Sequence, residues 1–483
     1  MPTIRPMTPS ASTPAAVTPR QEVPSGGKQC ADAGQTYETA TAEQVGLDAR
    51  KVNEALDYWT AHGSETVKIF RNNCLVGEGR TDPLYNYKPI WIASHTKTTV
   101  MLAVGRAQTL GLLNVNDPIG KYLPQGLGDP AHRAITIRQL LTMTSGLHMN
   151  WTREVNHELI PDRVREALSL GFDFQPGTHM WYQQTPCWLV PAVLTAATGM
   201  DFQDFLQKQV FDPLGIPQSH WFWTRDRAGN SDGPGWKVFE DAIDFGREGQ
   251  LLLHNGMFRG QQLIDPAFLA DARTGTAANP AYGYFMWLNS ASHWVNGSIF
   301  KREEHDSPGL IVSAPRDMYM SWGYRGQHVF VIPSLDIVVT RTGETTPDQW
   351  GTEPLADPGW AVTMGEQKKG YYDFFKTLME AVKDRQMPAP PAFSTQPTLP
   401  LDDTEPGDFL NPKDNAAVLS LGDAAPQGCA TAGCDGKLAW EGTRTWTTDS
   451  ARTGPETLSG TSRGMSSGFQ TRTLRMGSTA SIW

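Results

Sequence analysis

The sequence predicts an α+β protein, with one antiparallel sheet flanked by helices and an all-helical subdomain to one side. Two features of the order of elements carry this. Strand patterns stand at both ends of the patterned region, a hairpin near residues 66–78 and alternating runs over 282–340. A long helical middle separates them, and one last helix follows. Strands from both ends meet most simply in one antiparallel sheet, with the helices inserted beside it.

Taken in order, residues 1–40 are rich in Pro, Thr, Ser and Ala and are expected to be a disordered leader. Order is expected from Thr41, where Thr41 and Gln44 have the spacing of a helix cap before a helix over 45–58. Two short strands around Asn72-Asn73 make the first hairpin. A Gly-poor apolar helix begins after Ser94 and stops at Gly111. Thr136 caps a short amphipathic helix that closes at Ser145-Gly146. Helices are expected over 189–198, 201–211 and 240–254, then strands over 282–288, 318–322, 328–332 and 336–340. Pro333, Ser334 and Leu335 turn the last pair. The final amphipathic helix covers 366–383. The body is thus 41–386, with the helical subdomain at roughly 112–240. Residues 387–483 read as a Pro-rich linker and a low-complexity, disordered tail.

Charge and composition exclude several classes. The 483 residues carry a net charge of −10 and 19% charged residues, with no basic cluster, so nucleic acid is not a partner. No apolar run reaches 18 residues, so no membrane span is expected. The opening has no apolar core of signal-peptide length, and the default expectation is cytoplasmic. The five cysteines, at 30, 74, 187, 429 and 434, are too few and scattered for a disulfide framework. No metal motif and no phosphate loop occurs, so no metal and no cofactor is expected. Oligomeric state is left open.

The chemistry centres on Ser94 and Lys97. Ser-x-x-Lys occurs three times, at Ser25–Lys28, Ser94–Lys97 and Ser298–Lys301. Only the second opens a clear helix, which would put serine and lysine on one face at the positive dipole end. There a lysine can activate a serine nucleophile. The Gly-x-Ser-x-Gly matches at Ser462 and Ser466 lie in Ser/Thr/Gly-rich sequence without the strand and helix such an elbow needs. His95 points to a different helix face and completes no triad. Tyr182, after a Pro-Gly turn, is the candidate proton relay. Backbone donors for a tetrahedral intermediate are expected at Ser94 and in the glycine-rich segment 321–326. Trp91, Trp181 and Trp322 flank these motifs and are candidate cleft walls.

The order of motifs resembles the serine β-lactamase-related family: class C β-lactamases, D-alanyl-D-alanine peptidases, family VIII esterases and 6-aminohexanoate-dimer hydrolases. The match runs through Ser94–Lys97, the segment 135–147, Pro176-Gly177-Thr178 with Tyr182, the segments 202–216 and 241–246, and 251–256. It covers about 45–385. The resemblance implies a β-lactamase-like fold with Ser94 acylated, Lys97 its activator and Tyr182 the relay. It also implies an oxyanion hole of the Ser94 and Tyr324 N–H groups. Substrate would be bounded by Trp181, Gln184, Trp322, Gly323 and Arg325. Two departures stand out. The family's Tyr-x-Asn is Tyr182-Gln183-Gln184. Its Lys-Thr-Gly or His-x-Gly is Ser321-Trp322-Gly323, without a cation for a penicillin-type carboxylate. The expected substrate is a small linear ester or amide, as for the aminohexanoate-dimer hydrolases and family VIII esterases. The alternatives are a β-lactamase or D-Ala-D-Ala peptidase, or a non-catalytic acylated sensor or binding protein.

Overall fold

The computed structural model describes residues 27–149, 160–231, 238–297, 302–343 and 369–393, together with five short strands beyond. Its main sheet has six strands: β1 Ser64–Arg71, β2 Cys74–Glu78, β3 Trp287–Leu288, β4 Tyr319–Gly323, β5 Gln327–Ile332 and β6 Ile337–Gly343. Their order across the sheet is β2-β1-β6-β5-β4-β3, and every pairing is antiparallel. The N-terminal hairpin therefore joins the C-terminal strands through β1 and β6, as the two-ended strand pattern requires. Asn72 and Asn73 turn the first hairpin at φ +50° and +64°, a conformation Asn tolerates. β5 and β6 are buried along their whole length, which is why they read as continuous apolar runs.

One face of the sheet is covered by α1 (Ala49–Ala61) and α5 (Lys369–Glu380). Trp59 of α1 stacks on Phe374 of α5 with ring centroids 3.4 Å apart. The other face receives α2 (His95–Thr109) and α4 (Phe245–Leu253). Two glycines bring α4 close. A Cβ at Gly249 would sit 2.5 Å from Val338 Cγ1, and one at Gly246 2.6 Å from Tyr37 Oη. Helix α3 (Thr185–Thr198) packs on α2 from the inserted region.

The N-terminal boundary differs from the expectation. Residues 27–40 run as a strap along β2 and over α4. Cys30 is disulfide-bonded to Cys74. Ala40 N–H donates to the Leu75 carbonyl of β2 and Leu75 N–H to the Glu38 carbonyl, Tyr37 donates to the Ile243 carbonyl at 2.5 Å, and Arg247 donates to the Gly34 and Gln35 carbonyls. One cross-link and a few buried groups hold a segment whose composition reads as unstructured. Thr41 and Gln44 do form the reciprocal cap, but around a 3₁₀ turn, Glu43–Val45. The helix itself starts later, with Asp48 accepting from Lys51 N–H.

The inserted region is not all helical: Pro89–Trp91, Val238–Asp241 and Trp221–Trp223 form a three-stranded antiparallel sheet. Of the strand expected over 282–288, only Trp287–Leu288 pairs in the sheet. Gly283 N–H turns back to Met286 and Phe285 takes φ +50°, and the turn packs so close to α-helical Ala272 that a Cβ at Gly283 would meet its carbonyl at 1.9 Å. The two ends of the body meet: Lys383 N–H donates to Gly46, Asp48 N–H to Ala381, and Arg71 pairs with Asp384. Beyond 393, Thr398–Leu399 pairs with Glu304–Asp306, and Val418–Ser420 with Lys437–Ala439, and Glu456–Leu458 with Leu474–Met476. Ser298, Lys301, Cys429, Cys434, Ser462 and Ser466 lie outside the described residues.

Candidate active site

Ser94 stands at the start of α2, one of the most deeply buried helices of the body. From His95 to Gly105 every residue is buried. Ser94 itself is only half-buried, so its hydroxyl is reachable. The chain enters through the short strand Pro89–Trp91, then Ala93 adopts φ +48°. A left-handed Ala is strained and needs surrounding structure to hold it. Here the Ala93 carbonyl accepts the Thr96 N–H and the Ile92 carbonyl accepts the His95 N–H, each at 3.1 Å. The kink turns a strand into a helix at the candidate nucleophile. No residue type announced it, since Ala carries no preference for that conformation.

Lys97 Nζ lies 2.9 Å from Ser94 Oγ, and the lysine is 1% exposed. The same nitrogen donates to Gln184 Oε1 at 2.6 Å and sits 4.8 Å from the centroid of the Tyr182 ring. Ser94, Lys97, Tyr182 and Gln184 are thus brought together from positions up to 90 residues apart. Tyr182 is fixed by its ring, between Tyr282 and Trp287 at 6.1 and 6.0 Å. The backbone around it is tied to the segment after the Thr136-capped helix. Trp181 N–H donates to Met143, Gly177 N–H to Thr144, and the Gln183 amide to Leu147. The Thr136 capping box, with Gln139 answering it, starts that helix.

The strand side is built by close backbone approach. A Cβ at Gly323 would fall 2.5 Å from the Ile92 carbonyl, so only glycine lets β4 end against the turn into Ser94. Tyr324 follows there, its ring 6.0 Å from Trp91, and Arg325 takes φ +63° with its guanidinium over the Tyr324 ring. Arg341 Nη1 holds this turn from behind through the Arg325 and Gly326 carbonyls.

The residues expected to bound substrate do not share one face. Trp181 is buried next to Tyr182, its ring 6.5 Å from Phe174. Gln184 is engaged with Lys97, so its carbonyl oxygen is turned to the lysine. Trp322 lies away from the cleft wall expected for it. Strand alternation sends it to the opposite face of the sheet, against His328, Phe330 and Tyr371. Its neighbours Ser321 and Gly323 face α2 instead. No group of His, Cys, Asp or Glu that could hold a metal occurs among the described residues, and no helix among them is long and apolar enough to cross a membrane.

The chain is similar to proteins of one family. The family model described as Beta-lactamase matches residues 89–342. Lovastatin esterase of Penicillium rubens is 27% identical over 208 residues, 38% of this chain and 52% of the esterase. The chain thus spans about half the length of that relative. Among solved structures, a candidate beta-lactamase from Bacteroides dorei aligns with TM-score 0.51 at 18% identity, over 70% of this chain and 99% of the other. A candidate 6-aminohexanoate-dimer hydrolase from Bacillus anthracis aligns with TM-score 0.51 at 14% identity, over 65% and 82%. At such identities the structural likeness speaks for the fold alone.

Proposed function

Because the chain belongs to the beta-lactamase family, we propose that it is a serine hydrolase that cleaves small linear esters or amides through an acyl-enzyme on Ser94. The observation that carries this is the buried Lys97 Nζ, 2.9 Å from Ser94 Oγ. As Ser94 Oγ attacks the carbonyl carbon, Lys97 takes its proton. The oxyanion is directed to the backbone N–H groups of Ser94 and Tyr324. Tyr182, whose ring lies over the lysine nitrogen, passes a proton to the departing alkoxide or amine. Water then attacks the Ser94 ester, the carboxylic acid leaves and the serine regains its proton. Gln184 orients the lysine in this scheme.

Esters come ahead of β-lactams for two reasons. The strand segment Ser321-Trp322-Gly323 carries no cation to hold a β-lactam carboxylate. Lovastatin esterase, by its name an esterase, is a relative over 208 residues. The Cys30–Cys74 disulfide also supports maturation in an oxidising compartment, in place of the cytoplasm expected from the opening residues.

The test is turnover of a p-nitrophenyl ester, a linear amide such as 6-aminohexanoate dimer, and nitrocefin, with a fluorophosphonate to label the nucleophile. Label is expected on Ser94. Ser94→Ala should abolish turnover, and Lys97→Ala or Tyr182→Phe should lower it by roughly 10²–10⁴. Full turnover by Ser94→Ala overturns the mechanism. Nitrocefin as the best of the three substrates overturns the substrate class, and a burst without steady turnover replaces the hydrolase with an acylated sensor.

A further inference from the structure

The residue after the candidate nucleophile is a histidine with a second polar chain behind the site. His95 lies about 100° around α2 from Ser94 and is fully buried. Its Nδ1 is 2.6 Å from Ser321 Oγ on β4. Its Nε2 is 3.0 Å from Glu248 Oε2 on α4, off the line of a good hydrogen bond, so that contact is chiefly electrostatic. The other carboxylate oxygen accepts from the Thr99 hydroxyl at 3.1 Å, one turn further along α2. Ser321 Oγ in turn accepts the Val329 N–H of β5 at 2.9 Å. A hydroxyl oxygen can accept twice, so the Ser321–His95 bond is compatible with either direction, and Nε2 faces Glu248 in both. Phe245 stacks on the imidazole at 4.3 Å. The close seat of α4 at Gly249 lets Glu248 reach this depth.

The series Ser321–His95–Glu248 has the composition of a nucleophile triad, but not its exposure. Ser321 is 1% exposed and His95 and Glu248 are 0% exposed, so no substrate carbonyl reaches the hydroxyl. A buried polar chain of this kind costs more than apolar packing of the same volume. What it provides is a directional link. It joins α2 one residue after Ser94 to β4 three residues before Tyr324. Those are the backbone segments that bear the two oxyanion donors.

We propose that His95 and Glu248 are positioning residues. The imidazole, oriented by Glu248, cross-links β4 to α2 through the Ser321 hydroxyl and so sets the spacing of the Ser94 and Tyr324 N–H groups. The proposal rests on the hydrolase reading above. Misplacement by about 1 Å at a reacting centre costs up to roughly a hundredfold in rate.

The test measures the rate of Ser94 labelling by a fluorophosphonate at 25 °C, with melting temperatures, for wild type, Ser321→Ala, Ser321→Thr and Glu248→Gln. Labelling reports formation of the tetrahedral centre without needing turnover. Ser321→Ala and Glu248→Gln are expected to label about tenfold or more slowly while still folded, and Ser321→Thr, which keeps the hydroxyl, within a few-fold of wild type. If Ser321→Ala does not fold, Glu248→Gln decides. Variants that melt lower yet label at the wild-type rate overturn the positioning role, and so does a Ser321→Thr as slow as Ser321→Ala. Wild type that takes no label on Ser94 overturns the hydrolase reading and this proposal with it. Wild type that labels normally alongside equally fast variants overturns this proposal alone.

Discussion

Replacing both Cys30 and Cys74 by Ala tests how the N-terminal strap is held. The bond joins residues 44 apart in sequence, and the strap ends against β2 and α4. In the chain-entropy account, closing a loop of that length restricts the unfolded chain by about 4 kcal/mol at 25 °C. The strap also buries Ala33 and Tyr37, which stay packed only while it is docked. A loss of about 2–4 kcal/mol in unfolding free energy is therefore expected, the lower end reflecting residual order in the reduced unfolded chain. Denaturant unfolding followed by tryptophan fluorescence measures it, with the oxidised protein, the protein in reductant and the double variant side by side. The last two should coincide. Ester turnover at 25 °C should change by no more than about twofold, since the strap reaches α4 through Arg247 and Gln250 and touches none of Ser94, Lys97 or Tyr182. A midpoint unmoved by reduction would refute the reasoning. So would a fall in turnover far larger than the fall in stability.

Gly323→Ala would press a methyl to 2.5 Å from the Ile92 carbonyl and 2.8 Å from Gln327 Cβ. It is expected to lower kcat/KM for an ester by about ten- to a hundredfold, which steady-state kinetics on the folded variant checks. The Lys68–Asp82 pair gives a pH signature: burial pushes the Asp82 carboxyl up to about 6, against the pull of the Lys68 ammonium. Its folded state holds the proton more tightly than the unfolded chain, so the Asp82 contribution to stability falls as pH rises from about 4 to 6 and is level above that. The difference in unfolding free energy between wild type and Asp82→Asn, measured from pH 4 to 8, should trace that fall, and a difference that rises with pH would contradict it.

How far the sequence could be read follows from the range of the signals. Local signals read well: the Asn72-Asn73 turn, the Thr136 cap, the apolar runs of β5 and β6, and the Ser94–Lys97 spacing all act within a few residues. The antiparallel sheet followed from the order of such segments. Features set by partners distant in sequence were harder. Cys30 and Cys74 look unrelated until the strap is seen to lie along β2. His95 and Ser321 are separated by 226 residues, and nothing near either residue announces the bond. Trp322 was misassigned for a simpler reason. Alternation in β4 could have excluded it, because a wall formed by Gly323 and the backbone after it leaves the residue between Ser321 and Gly323 facing the other way.

The meeting of the two ends of the body has a consequence for how the chain can be rearranged. Gly46 and Lys383 are hydrogen-bonded neighbours, and Arg71 and Asp384 seal the same corner. Topologically the body is nearly a ring, with its entry and exit at one point. A linker from 383 to Gly27, which lies against Gln44 and Val45 at the same corner, would close that ring and keep the strap with its Cys30–Cys74 bond, and new termini could then be cut in an exposed turn such as the one at Gly126.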